Sequence, residues 1–308
     1  MLIILNSLFP VFAVLILGYV LKRYRLTDEK FLKISDNLVY FIFFPILLFW
    51  KIGGTYAADD VYRNFCVAVI CGIFIICLSS CIFLKLFGIS EYQSGSFSQS
   101  CYRFNSYIGV AVIMNTMGEE GIKPFGILIG FVIPFINVLA VSTLIWFSGK
   151  DFSAHERIRF TVKALISNPL ILGCLAGCLY ARLFNGFPVF LENTFRMISF
   201  ATIPLSLISI GSTLTFASMK GHFKVSFIAA IIKLLIFPVT GYFLLKLFTV
   251  TDILFKVGMI FFALPTATSV YILSSQLNSD TDLASASIVL STVLSFFSLS
   301  AVLLILNR

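Results

Sequence analysis

Apolar residues come in long runs separated by short polar connections along the whole chain. A helix needs about 20 residues to cross roughly 30 Å of hydrocarbon. Ten runs approach that length, at residues 2–21, 34–52, 62–87, 102–117, 124–147, 160–181, 191–216, 223–248, 253–277 and 283–306. The pattern predicts an all-α membrane protein of ten transmembrane helices. The longest polar connection, 148–159, joins the fifth and sixth runs, and no linker is long enough for a soluble domain.

The runs also repeat. The first reads Pro10-x7-Gly18 and ends in Lys22; the sixth reads Pro169-x7-Gly177 and ends in Arg182. The second has Ile34-Ser35, Pro45 and Leu48; the seventh has Ile198-Ser199, Pro204 and Leu207. The fourth and ninth carry polar breaks, Asn105-Ser106 and Pro265-Thr266, each 13 residues before a polar exit at Gly118 or Asn278. These matches divide the chain into 1–150 and 151–308. Five helices per half place the halves in opposite orientations, the inverted repeat common among secondary transporters.

Composition agrees with a membrane solvent: 59% of residues are hydrophobic and 12% charged, with a mean hydropathy of +1.02. Soluble domains carry about 25% charged residues. The net charge of +8 does not indicate nucleic acid, because the basic residues lie between apolar runs instead of along one face. They distribute as membrane topology requires. With the N-terminus outside, the cytoplasmic connections hold 13 Lys and Arg, Arg103 among them, against 8 on the other side. Both termini are therefore expected outside an inner (plasma) membrane. The first run lacks a basic leader and ends in Lys22-Arg23-Tyr24-Arg25, so it reads as a retained helix. The seven Cys include no CxxC, and the two His, His155 and His222, fall in connections. Small buried hydrophobes explain the thiols, and no metal or other cofactor is expected.

Chemistry is expected where helical hydrogen bonding is interrupted. Broken helices persist in lipid only where they line a cavity, and their half-helix N-termini suit an anion. In the ninth run, Pro265 removes an N–H beside Thr266, Thr268 and Ser269. In the fourth, Asn105, Ser106, Tyr107 and Gly109 form a polar stretch, and Asn105 alternatively reads as a plain N-cap. Lys233 lies well inside an apolar run, where it would neutralise an anion, tether a carbonyl or reach an interface. Asn137 would contact ligand or bond across helices. Asp36 would couple protons or serve as a solvated helix-start carboxylate. A Walker A motif, HExxH, GxSxG and a membrane-embedded pair of acids are all missing from the sequence. That disfavours ATP-driven transport and an intramembrane enzyme. The competing transporter is a cation/proton antiporter or sodium-coupled symporter, which would place acids at the breaks; a non-transporting sensor is the remaining class.

At Arg103-x-Asn105-x-x-Ile108-Gly109, Asn168-Pro169-Leu170-Ile171, Ile203-Pro204-Leu205-x-Leu207-x-x-x-Gly211, Lys233-x4-Pro238 and Leu264-Pro265-Thr266-Ala267-x-x-x-Tyr271-Ile272-Leu273, the chain resembles the auxin efflux carrier family. That family includes bacterial malonate- and malate-type permeases and the plant PIN carriers. The resemblance implies two inverted five-helix halves, crossing broken helices four and nine, and elevator-like alternating access. It places Asn105 and Ser106 on the first crossover and Pro265 and Thr266 on the second. Many relatives have proline where Ala111 stands here, and the long cytoplasmic loop of the plant carriers is absent from 148–159. The expected activity is secondary transport of a small organic anion, with proton coupling open and a homodimer as the expected assembly.

Overall fold

A computed structural model describes residues 2–54, 59–147, 154–184, 186–214 and 219–306. Among them there are helices and connections but no strand. The expected connection at 148–153, with Lys150, the end of the seventh run at 215–216 and the C-terminal Asn307-Arg308 lie outside the described residues.

Helix α1 (Leu2–Arg23) is followed by α2 (Glu29–Leu38), capped by Asp28, whose carboxylate accepts from the Phe31 N–H at 2.7 Å. A π-turn at Val39–Phe43 leads from α2 into α3 (Phe44–Gly53). A second π-turn, Ile232–Ile236, joins α10 (Phe223–Ile231) to α11 (Phe237–Leu247). Both π-turns have the same local cause. Pro45 and Pro238 sit in the first turn after each, and proline can neither donate nor tolerate the carbonyl four residues back. Widening the turn relieves that clash without ending the helix.

The remaining elements are α4 (Asp59–Leu86), α5 (Glu91–Tyr102), α6 (Ser106–Phe147), α7 (Ala154–Ile166), α8 (Pro169–Leu183), α9 (Val189–Thr213), α12 (Asp252–Ala263), α13 (Ser269–Gln276) and α14 (Thr281–Leu306). Among the described residues, seven helical stretches are long and apolar enough to cross a membrane. Gly118 interrupts α6 with φ 61° and ψ −145°, a conformation open to glycine, so 106–117 and 119–147 are separate rods.

Two boundaries differ from the sequence reading. The fourth run starts at Glu91 instead of residue 102, because α5 is a helix although its sequence, EYQSGSFSQSCY, is polar. Its residues Ser94–Tyr102 are all buried in protein, so lipid never meets them. Serine hydroxyls satisfy one another and nearby carbonyls: Ser80 to Ser98 at 2.7 Å, Ser96 to Ser274 at 2.8 Å, and Ser96 to the Asp280 carbonyl at 2.7 Å. The sixth run divides at Ser167-Asn168, where Asn168 caps α8 by accepting from the N–H groups of Leu170 and Ile171.

Two tight helix pairs form one side of the molecule, α1 on α9 and α3 on α8. Glycine permits both. A Cβ on Gly18 would strike the Ile208 carbonyl, and one on Gly211 the Leu15 carbonyl, so α1 and α9 approach backbone to backbone. Gly173 faces Pro45 and Gly177 faces Phe49 and Ile52 in the same way. The other helices pack around α5, α6 and α12, with Phe237, Phe261 and Phe262 at the centre.

Candidate functional site

The two interrupted helices meet at their breaks. Between α5 and α6 the chain is extended over Arg103-Phe104-Asn105, and between α12 and α13 over Leu264 to Ala267. The Asn105 N–H donates to the Pro265 carbonyl at 2.9 Å. Thr266 completes the joint: its N–H donates to Ser291 Oγ at 3.1 Å, and its hydroxyl to the Ser100 carbonyl at 2.9 Å. That carbonyl is one of those left open at the end of α5. Asn105 Oδ1 accepts from the N–H groups of Tyr107 and Ile108, both at 3.1 Å, and so caps α6.

A cavity of about 1150 Å³ opens beside this joint. Of the residues singled out from sequence, Asn105, Ser106, Tyr107, Thr268, Ser269, Asn137 and Asp36 line it. Gly109, Pro265, Thr266 and Lys233 do not. Gly109 is a packing position, where a Cβ would press on Phe125 and Leu264. Pro265 and Thr266 are buried behind the wall, with the Thr266 hydroxyl already committed to main chain. Lys233 is fully buried in the second π-turn, its Nζ 4.3 Å from the Phe237 ring centre and without a hydrogen-bond partner among the described residues. An anion in the cavity therefore does not meet it.

The buried cation in the cavity wall is Arg103, which the topology count places in a cytoplasmic connection. Arg103 sits instead at the break, 6% exposed, and removing it from the count leaves 12 against 8, with the same bias. Its Nη2 donates to Asn137 Oδ1 at 3.1 Å and to Ser269 Oγ at 3.0 Å; Nη1 reaches Gln99 Oε1 at 3.5 Å. All three acceptors are neutral. No carboxylate among the described residues lies within ion-pair distance of it, and its Nε is buried without a partner. The amide nitrogen of Asn105 is likewise buried and unpaired. The N–H groups of Tyr107 and Ile108 are taken by Asn105, and those of Val270 and Tyr271 by the Ala267 and Thr268 carbonyls, so the N-termini of α6 and α13 act here through the positive ends of their helix dipoles. A buried cation, unpaired donors and two helix N-termini thus converge on one cavity.

Tyr40 and Tyr107 line the cavity together with Arg103 and Asp36. Asp36 accepts a short hydrogen bond from the Ser209 hydroxyl of α9. The mouth of the cavity is polar, with Lys22, Lys220, His222 and Asp282. Lys51 Nζ pairs with Glu119 Oε1 at 2.7 Å and stacks 3.7 Å from the Trp50 ring centre.

The comparisons with known proteins agree with a polar cavity inside apolar helices. A family model described as "Membrane transport protein" matches residues 3–303. An "Uncharacterized transporter" of Methanocaldococcus jannaschii is 24% identical over 293 residues, covering 92% of this chain and 93% of the relative. A Rhizobium meliloti protein named "Putative malonate transporter" is 22% identical over 303 residues, covering 97% and 94%. An "Uncharacterized transporter" of Methanothermobacter thermautotrophicus is 24% identical over 305 residues, covering 96% and 95%. On a match that runs almost end to end, the chain belongs to the membrane transport protein family, that of the auxin efflux carriers.

Proposed function

We propose that this protein is a secondary carrier of a small organic anion, bound between the two helix breaks and moved by alternating access. The observation that carries the reading is Arg103, a buried cation in the cavity wall whose partners among the described residues are all neutral. Burying a guanidinium without a counter-charge is costly, and such residues in membrane helices mark substrate and ion pathways. A carboxylate fits its fork in bidentate fashion. Asn105, Ser106, Tyr107, Thr268 and Ser269 would supply the neighbouring donors, and the Rhizobium relative's name makes malonate the first substrate to try.

The architecture proposed for this cycle is ten crossings in two inverted halves, 1–150 and 151–308. Gly118 turns the chain between 106–117 and 119–147, which makes two crossings of α6. Helices α12 and α13 together make one crossing interrupted at 264–268, as α5 and the start of α6 do at 103–105. The packing of α1 on α9 and of α3 on α8 exchanges equivalent helices between halves, as a two-fold axis in the membrane would. The first body, α1 to α3 with α8 and α9, would stand still; the second, carrying the breaks, would slide against it. The cavity mouth at Lys22 and Lys220 lies at the end that the charge bias assigns to the cytoplasm, with both termini outside. Exposed apolar residues such as Leu175, Leu179 and Phe200 on α8 and α9 would face lipid or the second copy of a homodimer.

Uptake by proteoliposomes tests the proposal. Labelled malonate, malate and indole acetate are offered with and without a pH gradient. Flux of at least one anion that vanishes in Arg103→Gln supports it, and absence of carboxylate flux from every condition overturns it.

A further inference from the structure

Asp36 and Arg103 line one cavity from opposite bodies, Asp36 on the α2–α3 rod and Arg103 at the break between α5 and α6. The other charged or titratable groups lining this space are Tyr40 and Tyr107, Lys22 from α1, Lys220 and His222 from the connection before α10, Tyr271 from α13, and Asp282 from α14. Those at the mouth contribute little deeper in. Lys22 has Glu29 at 3.9 Å. Lys220 and Asp282 are exposed and of opposite sign, and water and salt screen both. His222 is bound to Asp280 at 3.2 Å. Of the acids that line this space, Asp36 is the one whose carboxylate a neighbouring hydroxyl, that of Ser209, holds in place, and it shares the cavity with Arg103.

We propose that Asp36 selects the charge state of the cargo: an anion with a single negative charge is accepted, and a second carboxylate is accepted only when it carries its proton. The inference rests on the carrier reading above. Its chemistry is simple. One carboxylate of the substrate takes the Arg103 fork. An uncharged second group, an ester or a protonated acid, can then lie toward Asp36, and a protonated acid can donate its hydrogen to that carboxylate. A dianion would bring a second negative charge into the cavity that Asp36 lines, and the two like charges repel. A diacid would thus cross with one proton on itself, entering and leaving as the same monoanion, and no protein group need carry that proton across the membrane.

The test uses full-length protein in liposomes and two probes, malonate and its monomethyl ester, which cannot hold a second charge. For the wild type, the ratio of malonate to half-ester uptake is expected to climb as pH falls and malonate gains a proton. In Asp36→Asn the ratio at neutral pH should rise about tenfold and lose most of its pH dependence. Asp36→Glu should restore the wild-type profile, which a merely structural role for Asp36 would not require. An unchanged ratio and profile in Asp36→Asn, with flux present, overturns this inference alone. Absence of carboxylate flux in the wild type overturns the carrier reading and this inference with it.

Discussion

The Asn105 N–H and the Pro265 carbonyl, 2.9 Å apart, tie two interrupted helices together through their main chains, 160 residues apart in sequence. The tie leaves the Asn105 side chain to do two other things. Its Oδ1 caps α6, and its amide nitrogen remains unpaired beside the cavity.

Those two roles separate by substitution. Asn105→Ala loses the cap and the amide, with an expected cost of about 1 kcal/mol in stability and at least about a tenfold loss of anion uptake. Asn105→Asp keeps an oxygen for the cap but puts a negative charge on the same break as Arg103. Its melting temperature should stay near that of the wild type while anion uptake disappears. Robust uptake by Asn105→Asp would remove this position from the anion's path.

Arg103 offers a sharper contrast. Arg103→Gln should lower anion uptake by about ten- to a hundredfold, since a charge-assisted pair contributes about 1.5–3 kcal/mol and the helix N-termini alone contribute less. Arg103→Lys retains the charge but cannot hold Asn137, Ser269 and a carboxylate with one planar fork, so an intermediate loss is expected. Uptake kinetics of both variants, with a neutral analogue as control, check this. Equal loss of the neutral analogue would make Arg103 a structural strut.

The sequence made some of this site legible and concealed the rest for physical reasons. Asn105, Ser106, Thr268 and Ser269 stood out because helix-breaking polar residues inside apolar runs need an explanation, and all four line the cavity. Arg103 was hidden by its neighbours. Helix α5 is so rich in Ser and Gln that hydropathy reads it as a connection, although protein surrounds it on all sides. Thr266 carried the right chemistry, but its hydroxyl is consumed by the Ser100 carbonyl. Lys233 had the right charge at a plausible depth, yet periodicity does not reveal which wall of a helix faces a cavity. Of the glycines in the α1–α9 contact, Gly18 stood out in the repeat, matched there to Gly177, and Gly211 in the motif of the resemblance, while the meeting of their two helices was not visible.

That meeting predicts steric intolerance at two places. Gly211→Val would push side-chain atoms into the Leu15 carbonyl, and Gly18→Val into that of Ile208. Neither backbone can retreat, because each helix is fixed along its length by the other. Folded, monodisperse yield in detergent should collapse for both. Gly88→Ala is the control: φ is 59° but nothing lies within 4 Å of its Cβ, so only a local backbone cost of about 1 kcal/mol is expected.

Lys233 is expected to behave as a stability liability. Its ammonium is fully buried over the Phe237 ring with no acceptor among the described residues, a group whose central insertion costs about 2.5–3.5 kcal/mol. Lys233→Met keeps the stem and removes the charge. Thermal unfolding in detergent should shift upward, and the preference for anions over neutral analogues should not change. A lower melting temperature would mean that the ammonium holds a group that the π-turn otherwise leaves open.

The ion pair of Lys51 with Glu119 joins the two bodies at the end away from the cavity mouth. Lys51 is fixed by burial against Trp50, whereas the Glu119 side chain is 73% exposed, so the pair is weak in energy. In the proposed cycle, a weak contact between the two bodies suits a latch, which must release each time they slide. Lys51→Glu would place two like charges at the joint and favour its opening, slowing uptake by about tenfold through a shifted resting population. Glu119→Lys should do the same. The doubly reversed variant, Lys51→Glu with Glu119→Lys, restores the attraction and should recover most of the lost rate. The recovery is the informative readout, because damage to the buried Lys51 site would persist in the double variant while a lost latch would not. Uptake in the double variant as slow as in either single variant would show that the pair does not hold the outer end closed.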